Sequence, residues 1–160
     1  MYVLYPKYRI ILTLGLLLLT LSARSQVSIS AVRDFNFGAF YQGKSGGTVD
    51  ISTAGIRTAS GDIVLMNSGG LISQAVFEID APKDVYISLT MAAETLLSNG
   101  NGNTMTLRLG PVDPETAFYT TAEPPERTII KVAGTLIVGS AALNSPGNYQ
   151  GTFLINLNYE

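Results

Sequence analysis

The strongest constraint on the fold is the alternation of apolar and polar residues in short segments, seen most clearly at the end of the chain. Apolar residues occupy every second position from Phe153 to Tyr159, and Leu154 is the one apolar residue between them. A strand directs alternate side chains to opposite faces, so this segment is predicted to form a strand with one apolar and one polar face. We expect Leu157 and Tyr159 to be buried and the asparagines beside them to be exposed.

The same alternation recurs along the rest of the chain. The residues around Asp34 interrupt it within segment 26–40, which indicates one bent strand or two short ones. Strands or short apolar runs are predicted at 27–31, 49–51, 63–66, 75–80, 85–91, 104–109 and 130–138. Gly134, inside the last of these, predicts a bulge or a close backbone approach.

Several predictions concern the connections between strands. The strands at 75–80 and 85–91 flank a turn at 82–84 and are predicted to form a hairpin. The other connections are predicted as a turn at 44–47, a loop at 55–61, a helical turn or irregular connection at 94–97, a tight turn at 99–103 and an exposed loop at 111–126.

These segments amount to about seven to nine short strands with no convincing helix, a pattern typical of an antiparallel β-sandwich. A closed β-barrel is the alternative. Hydrophobic residues make up 46% of the chain and charged residues 14%, which is enough apolar material for a core and too little charge for a disordered chain. We therefore expect one all-β sandwich domain over residues 26–160.

The beginning of the chain has the pattern of a secretory signal peptide. Two basic residues precede an apolar run over 10–21, and Ala23 and Ser25 are the small residues that a signal peptidase recognises. The alternative is a transmembrane anchor, which needs a run of about 20 apolar residues. We predict that residues 1–25 are removed, that the mature protein begins at Gln26, and that no transmembrane segment remains.

Charge and composition narrow the function classes. Removing the signal takes away three basic residues and no acidic residue, so the net charge changes from −2 to −5. An acidic protein has no electrostatic attraction for nucleic acid, so we expect no nucleic-acid partner. The chain has no histidine and no cysteine. The commonest general base, two nucleophile systems and most zinc sites are therefore missing, and we expect neither enzyme activity nor a cofactor.

Weak candidates for chemistry remain among the acidic and aromatic residues. Paired carboxylates of the kind a glycosidase uses occur as Glu78 with Asp80, Asp113 with Glu115, and Glu123 with Glu126. The middle pair also offers oxygen ligands for calcium, although no EF-hand spacing is present. We favour a solvated surface for all three pairs. Four tyrosines could form a sugar-stacking surface but are scattered in sequence: Tyr41, Tyr86, Tyr119 and Tyr149.

The last strand resembles that of pilin subunits assembled by the chaperone–usher route. Those subunits carry a glycine fourteenth from the end, then alternating apolar residues and a penultimate tyrosine. The corresponding residues here are Gly147, Phe153, Ile155, Leu157 and Tyr159. Many such pilins have a disulfide, which this chain cannot form, so the resemblance is to the cysteine-free branches.

More broadly, the chain resembles a secreted bacterial family of unknown function with a pilin-like, immunoglobulin-type fold. The resemblance is carried, in order, by segments 35–38, 47–51, 61–65, 134–139 and 147–159. It implies an immunoglobulin-like antiparallel β-sandwich, similar to pilins and adhesins. It also implies a location in the periplasm, at the cell surface or outside a Gram-negative bacterium. No established activity and no catalytic residues come with the resemblance.

We therefore expect a structural or adhesion subunit of a fimbria-like or pilus-like surface appendage. It would pair β-strands with other subunits of the same or a related assembly, and with a periplasmic chaperone. The alternative is a secreted monomeric module that binds glycan or protein. Segment 26–31 would be the first strand of its own sandwich or would complete a neighbour's sheet. The candidate strand-pairing residues are Val27, Ile29, Ala31, Gly147, Phe153, Ile155, Leu157 and Tyr159.

Overall fold

The computed structural model describes residues 27–67 and 70–160. The signal peptide predicted over residues 1–25, and its cleavage site before Gln26, lie outside this part of the chain. None of the described segments forms a helix with the length and apolar character of a membrane span.

The described residues form ten antiparallel strands and no helix. The strands are β1 (Ser28–Arg33), β2 (Phe40–Ile51), β3 (Arg57–Leu65), β4 (Ala75–Asp80), β5 (Tyr86–Met91), β6 (Glu94–Ser98), β7 (Thr104–Asp113), β8 (Ala117–Tyr119), β9 (Thr128–Val138) and β10 (Ile155–Tyr159). They form a seven-stranded and a three-stranded sheet that pack together, so the predicted all-β sandwich is confirmed.

The long strand β9 organises the larger sheet. Its first half pairs with β4, where Ile130 lies opposite Phe77, and its second half pairs with β2, where Leu136 lies opposite Val49. β7 pairs with β9 as well, and β6 pairs with β7. β1 lies beyond β4 and β3 lies beyond β2, so these two strands are at the ends of the order β1-β4-β9-β2-β3. The smaller sheet has the order β10-β5-β8.

Two groups of buried apolar side chains form the core. The first lies between the sheets, where Ile87 and Leu89 of β5 pack with Ile79 of β4 and Ile130 of β9. The second is built from β2, β6, β7 and the second half of β9, with Val49 fully buried in it. Each large apolar side chain that is fully buried contributes about 1.5–3 kcal/mol, so the two groups supply the main driving force for the fold.

The predicted hairpin between 75–80 and 85–91 is wrong, although both segments are strands. β4 belongs to the larger sheet and β5 to the smaller one, and β5 pairs with β8 and β10 instead. The reason is that Ile79 and Ile87 enter the same core from opposite sides. The chain at 81–85 therefore crosses from one sheet to the other.

The turn at 44–47 and the loop at 55–61 are also wrong, because both lie mainly within the long strands β2 and β3. The pairing is irregular between Gln42 and Gly47, as a β-bulge would make it. At this point Gly47 lies opposite Gly61, and a Cβ added to Gly61 would come within 2.8 Å of the Gly47 Cα. The two glycines thus permit a close backbone approach and not a reversal of the chain.

Two further connections contain strands. Segment 94–97 is not a helical turn, because it belongs to β6, which pairs with β7 and directs Leu97 into the core. The predicted loop at 111–126 begins with the end of β7 and contains the short strand β8. The tight turn at 99–103 is confirmed between β6 and β7, with positive φ at Gly100 and Gly102.

Candidate functional site

The two edge strands nearest the ends of the described chain flank the same groove. β1 is the end strand of the larger sheet and β10 is the end strand of the smaller one. The groove has a volume of about 590 Å³. It is lined by Val27, Ser28, Ile29, Thr90, Ile155, Asn156, Leu157, Asn158 and Tyr159. Five of the predicted strand-pairing residues, distant in sequence, are therefore brought together.

Along β10, residues that exchange backbone hydrogen bonds with β5 alternate with residues that do not. We call this alternation the hydrogen-bonding phase of β10. Glu160 and Tyr86 exchange both backbone N–H···O bonds, at 3.1 and 3.3 Å. In an antiparallel pair, hydrogen-bonded and non-hydrogen-bonded positions alternate. With the observed register, every second residue counted back from Glu160 is hydrogen-bonded to β5. The residues between these are the non-hydrogen-bonded positions, namely Ile155, Leu157 and Tyr159. Their N–H and C=O groups point away from β5, toward the open edge.

The apolar side chains of the same residues point toward the core. Ile155 and Leu157 are half-buried and pack against the core group that lies between the sheets. Asn156 and Asn158 are exposed on the outer face, as the alternation predicts. An added strand would thus find unpaired backbone groups and an apolar wall at the same positions of β10.

The prediction that Tyr159 is buried is wrong, since 57% of its surface is exposed. Leu157 is half-buried rather than fully buried. Both differences have the same cause, because β10 is an edge strand that has a neighbour on one side only. Alternation predicts the face to which a side chain points, and the position of the strand in the sheet decides how much of it is covered.

The opposite wall of the groove is the weakly buried strand β1. It pairs with β4, so in the single chain this segment is the first strand of its own sandwich. Among its residues only Ile29 is half-buried, and the rest are exposed. Val27, just before the strand, is also half-buried. Few side-chain contacts therefore support the backbone pairing of β1.

Three of the predicted strand-pairing residues do not line the groove. Ala31 lies further along β1 and is exposed. Phe153 precedes β10 and packs in the interior, with its ring centroid 6.0 Å from that of Phe77. Gly147 lies against the turn between β6 and β7, where an added Cβ would be 3.5 Å from the Cβ of Asn99. The groove is also lined by four polar residues that alternation places on the outer faces of their strands, namely Ser28, Thr90, Asn156 and Asn158.

The carboxylates of β4 are held by an arginine that the sequence analysis did not single out. Arg127 donates a hydrogen bond of 2.8 Å to Glu78 and lies 3.7 Å from Asp80. The hydrogen bond and charge of Glu78 raise the pKa of Arg127 above its ordinary value, with a smaller contribution from Asp80 and an opposing one from desolvation. No spacing in the sequence indicates this contact, because Arg127 lies immediately before β9, 47 residues after Asp80 in the chain.

The other acidic candidates do not converge on one site. Asp113 lies 3.4 Å from Lys131, its neighbour across β7 and β9, and Glu115 is exposed. Glu123 and Glu126 are exposed at a turn closed by a backbone hydrogen bond of 2.8 Å. Within residues 27–67 and 70–160, no group of three or more acidic side chains is placed to hold a metal ion.

Two of the four tyrosines meet. Tyr86 of β5 and Tyr119 of β8 lie opposite each other, with ring centroids 5.2 Å apart, and 65% of Tyr119 is exposed. Tyr41 lies on β2 of the other sheet, and the Tyr149 hydroxyl donates to the Ser145 carbonyl within its own segment. The structure thus provides an aromatic pair and not a surface of four rings.

Comparison of the sequence with known protein families finds a match over most of the chain. Residues 27–159 match the family described as Domain of unknown function (DUF4402). No curated protein and no solved structure matches the chain.

Proposed function

The chain belongs to the DUF4402 family, and we propose that it is a structural or adhesion subunit of a bacterial cell-surface assembly, acting by β-strand pairing. The observation that carries the proposal is the groove between β1 and β10, in which two open sheet edges lie beside the apolar side chains of Ile29, Ile155 and Leu157. Main-chain hydrogen bonds to such an edge give affinity, and alternate side chains that fill the groove give specificity.

The hydrogen-bonding phase of β10 determines which pattern of apolar and polar residues a segment needs in order to pair with this strand. An extended segment that pairs with Ile155, Leu157 and Tyr159 places the residues opposite them on the core side of the sheet. Those residues should be apolar, and the residues between them should be polar, since they would lie beside Asn156 and Asn158. The donor segment is thus an alternating strand from another subunit of the same or a related assembly.

The proposal includes secretion and a non-catalytic role. The signal-like pattern of residues 1–25 supports export, and the family match starts shortly after the proposed cleavage site before Gln26. The assembly would lie in the periplasm, at the cell surface or outside a Gram-negative bacterium. A periplasmic chaperone would pair with the open edge of β10 until a subunit replaces it, because an uncovered edge promotes aggregation.

Sedimentation of the 26–160 chain over a wide concentration range tests the proposal. We expect self-association that Leu157→Lys abolishes, because an inward-pointing charge on an edge strand prevents pairing. Leu154→Lys places the same charge just before the same strand, at an exposed residue that does not line the groove, and should preserve association. A wild-type chain that remains monomeric at every concentration, or equal association of the two variants, would show that strand pairing through β10 is wrong.

A second candidate function is a monomeric module that binds glycan. The aromatic pair Tyr86 and Tyr119 favours it, because exposed tyrosine rings stack on sugars. A glycan array with wild-type protein and Tyr119→Ala distinguishes this function from the first. Binding that depends on Tyr119, by a protein that does not self-associate, would support the second function over strand pairing.

A further inference from the structure

We propose that Asn101 is a site of spontaneous deamidation and isoaspartate formation, and that the folded turn protects the neighbouring Asn99. Both asparagines precede a glycine in the turn between β6 and β7. This chemical modification is independent of strand pairing, because the turn lies outside the groove between β1 and β10.

The reaction requires two groups to meet. The backbone nitrogen of the residue after asparagine attacks the side-chain Cγ, so that a new N–C bond forms while the Cγ–Nδ2 bond breaks. The amide leaves as ammonia and carries away the proton of the attacking N–H. Water then opens the resulting succinimide to an isoaspartyl or an aspartyl residue. A following glycine favours attack because it has no Cβ and its backbone is freely rotatable.

At Asn99 both reacting groups are held. Its Oδ1 accepts hydrogen bonds from two backbone N–H groups of the turn, at 2.9 and 3.2 Å. Its Nδ2 donates to the Ser145 Oγ at 3.2 Å. The attacking nitrogen, that of Gly100, donates to the Ser98 Oγ at 3.1 Å. The reaction at Asn99 therefore requires the turn to open first, which lowers its rate by the open fraction.

At Asn101 neither reacting group is held. Its side chain is exposed, and within the described part of the chain neither that side chain nor the Gly102 nitrogen makes a hydrogen bond. The space beside Gly102 is open, since a Cβ added there would meet no atom within 4 Å. The same turn thus contains one accessible and one protected Asn-Gly step.

Incubation of the folded 26–160 chain at mildly alkaline pH tests this difference. Peptide mapping by mass spectrometry locates each product by the mass gained when NH is replaced by O. We expect Asn101 to react at least about tenfold faster than Asn99, which corresponds to ~1.4 kcal/mol of local opening free energy. In denaturant the two sites should react at similar rates, since both precede glycine.

Two variants make the result specific to the contacts described. Ser98→Ala combined with Ser145→Ala removes the side-chain partners of the Asn99 step, and its rate should rise toward that of Asn101. Asn101→Gln should remove most of the product without altering the rate at Asn99. Equal rates at the two sites in the folded protein, or protection of both relative to denaturant, would overturn the proposal.

Discussion

The ring of Phe35 occupies the space where a side chain on Gly134 would lie. A Cβ added to Gly134 would come within 2.9 Å of two carbon atoms of the ring. Phe35 also stacks on Phe37 and contacts Phe153, each at a centroid distance of 5.7 Å. The sequence predicted a bulge or a close backbone approach at this glycine, and the pairing of β7 with β9 is irregular next to it, between Leu109 and Val112. The close packing of the Phe35 ring against Gly134 was not predicted.

Replacing Gly134 with alanine should therefore destabilise the fold. The added methyl overlaps a ring that Phe37 and Phe153 also contact, and overpacking of this kind costs about 1–3 kcal/mol. Denaturant unfolding measures the change. Gly147→Ala is the matched control, because its Cβ would make only ordinary contacts, at 3.5 Å and beyond. Equal effects of the two substitutions would contradict the packing described for Phe35.

A second prediction concerns Thr120, which is 1% exposed and hydrogen-bonds to segment 81–85, where the chain crosses from one sheet to the other. Its hydroxyl donates to the Pro82 carbonyl, and it accepts a hydrogen bond of 3.0 Å from the Val85 N–H. Thr120→Val keeps the shape but leaves both partners unsatisfied, at a cost of about 1–3 kcal/mol. Thr120→Ser retains the hydroxyl and should lose less stability. Thermal unfolding that ranks serine below valine would contradict this role.

The sequence predicted which residues point inward better than it predicted which strands are neighbours. Alternation identified the inward residues of β4, β5 and β9, because side-chain direction is a local property of a strand. The turn at 82–84 was also local and visible. Whether it joins partners in one sheet or crosses to the other depends on a shared core, and on the distant contact that Thr120 makes with Pro82.

The candidate site was predictable in its parts and not in its assembly. The alternating residues around Ile29 and Leu157 were identified separately, as strands that could pair. Their meeting across one groove follows from the order of two sheets, which no spacing in the sequence determines. Gly147 shows the opposite case. It matches the glycine of the pilin motif in sequence, but the structure places it away from the groove, beside Asn99.

The edge position of β10 leads to a third prediction. Leu157→Ala should cost about 1–2 kcal/mol, less than the 2–5 kcal/mol of a fully buried leucine, because Leu157 is half-buried. Tyr159→Ala and Asn156→Ala should each change stability by about 0.5 kcal/mol or less, since both side chains are largely exposed. Chemical denaturation decides. A cost for Tyr159 as large as that for Leu157 would mean that the tyrosine is covered in the folded chain.

The last prediction separates the open edge of β10 from its paired edge by means of proline, which has no N–H. The N–H of Asn158 points toward Ser88 of β5, whereas that of Tyr159 points toward the groove. Asn158→Pro should thus leave the Ser88 carbonyl unsatisfied and cost about 1–3 kcal/mol. Tyr159→Pro removes no bond of the ladder, as proline is tolerated on an open edge, and the fold should remain stable. It should nevertheless weaken self-association relative to Tyr159→Ala, because a partner strand loses one donor.

Thermal unfolding and sedimentation of the three variants measure both effects. If Tyr159→Pro unfolds the protein as readily as Asn158→Pro, the hydrogen-bonding phase is wrong. If the phase is right and association is unchanged, the partner does not pair with this edge.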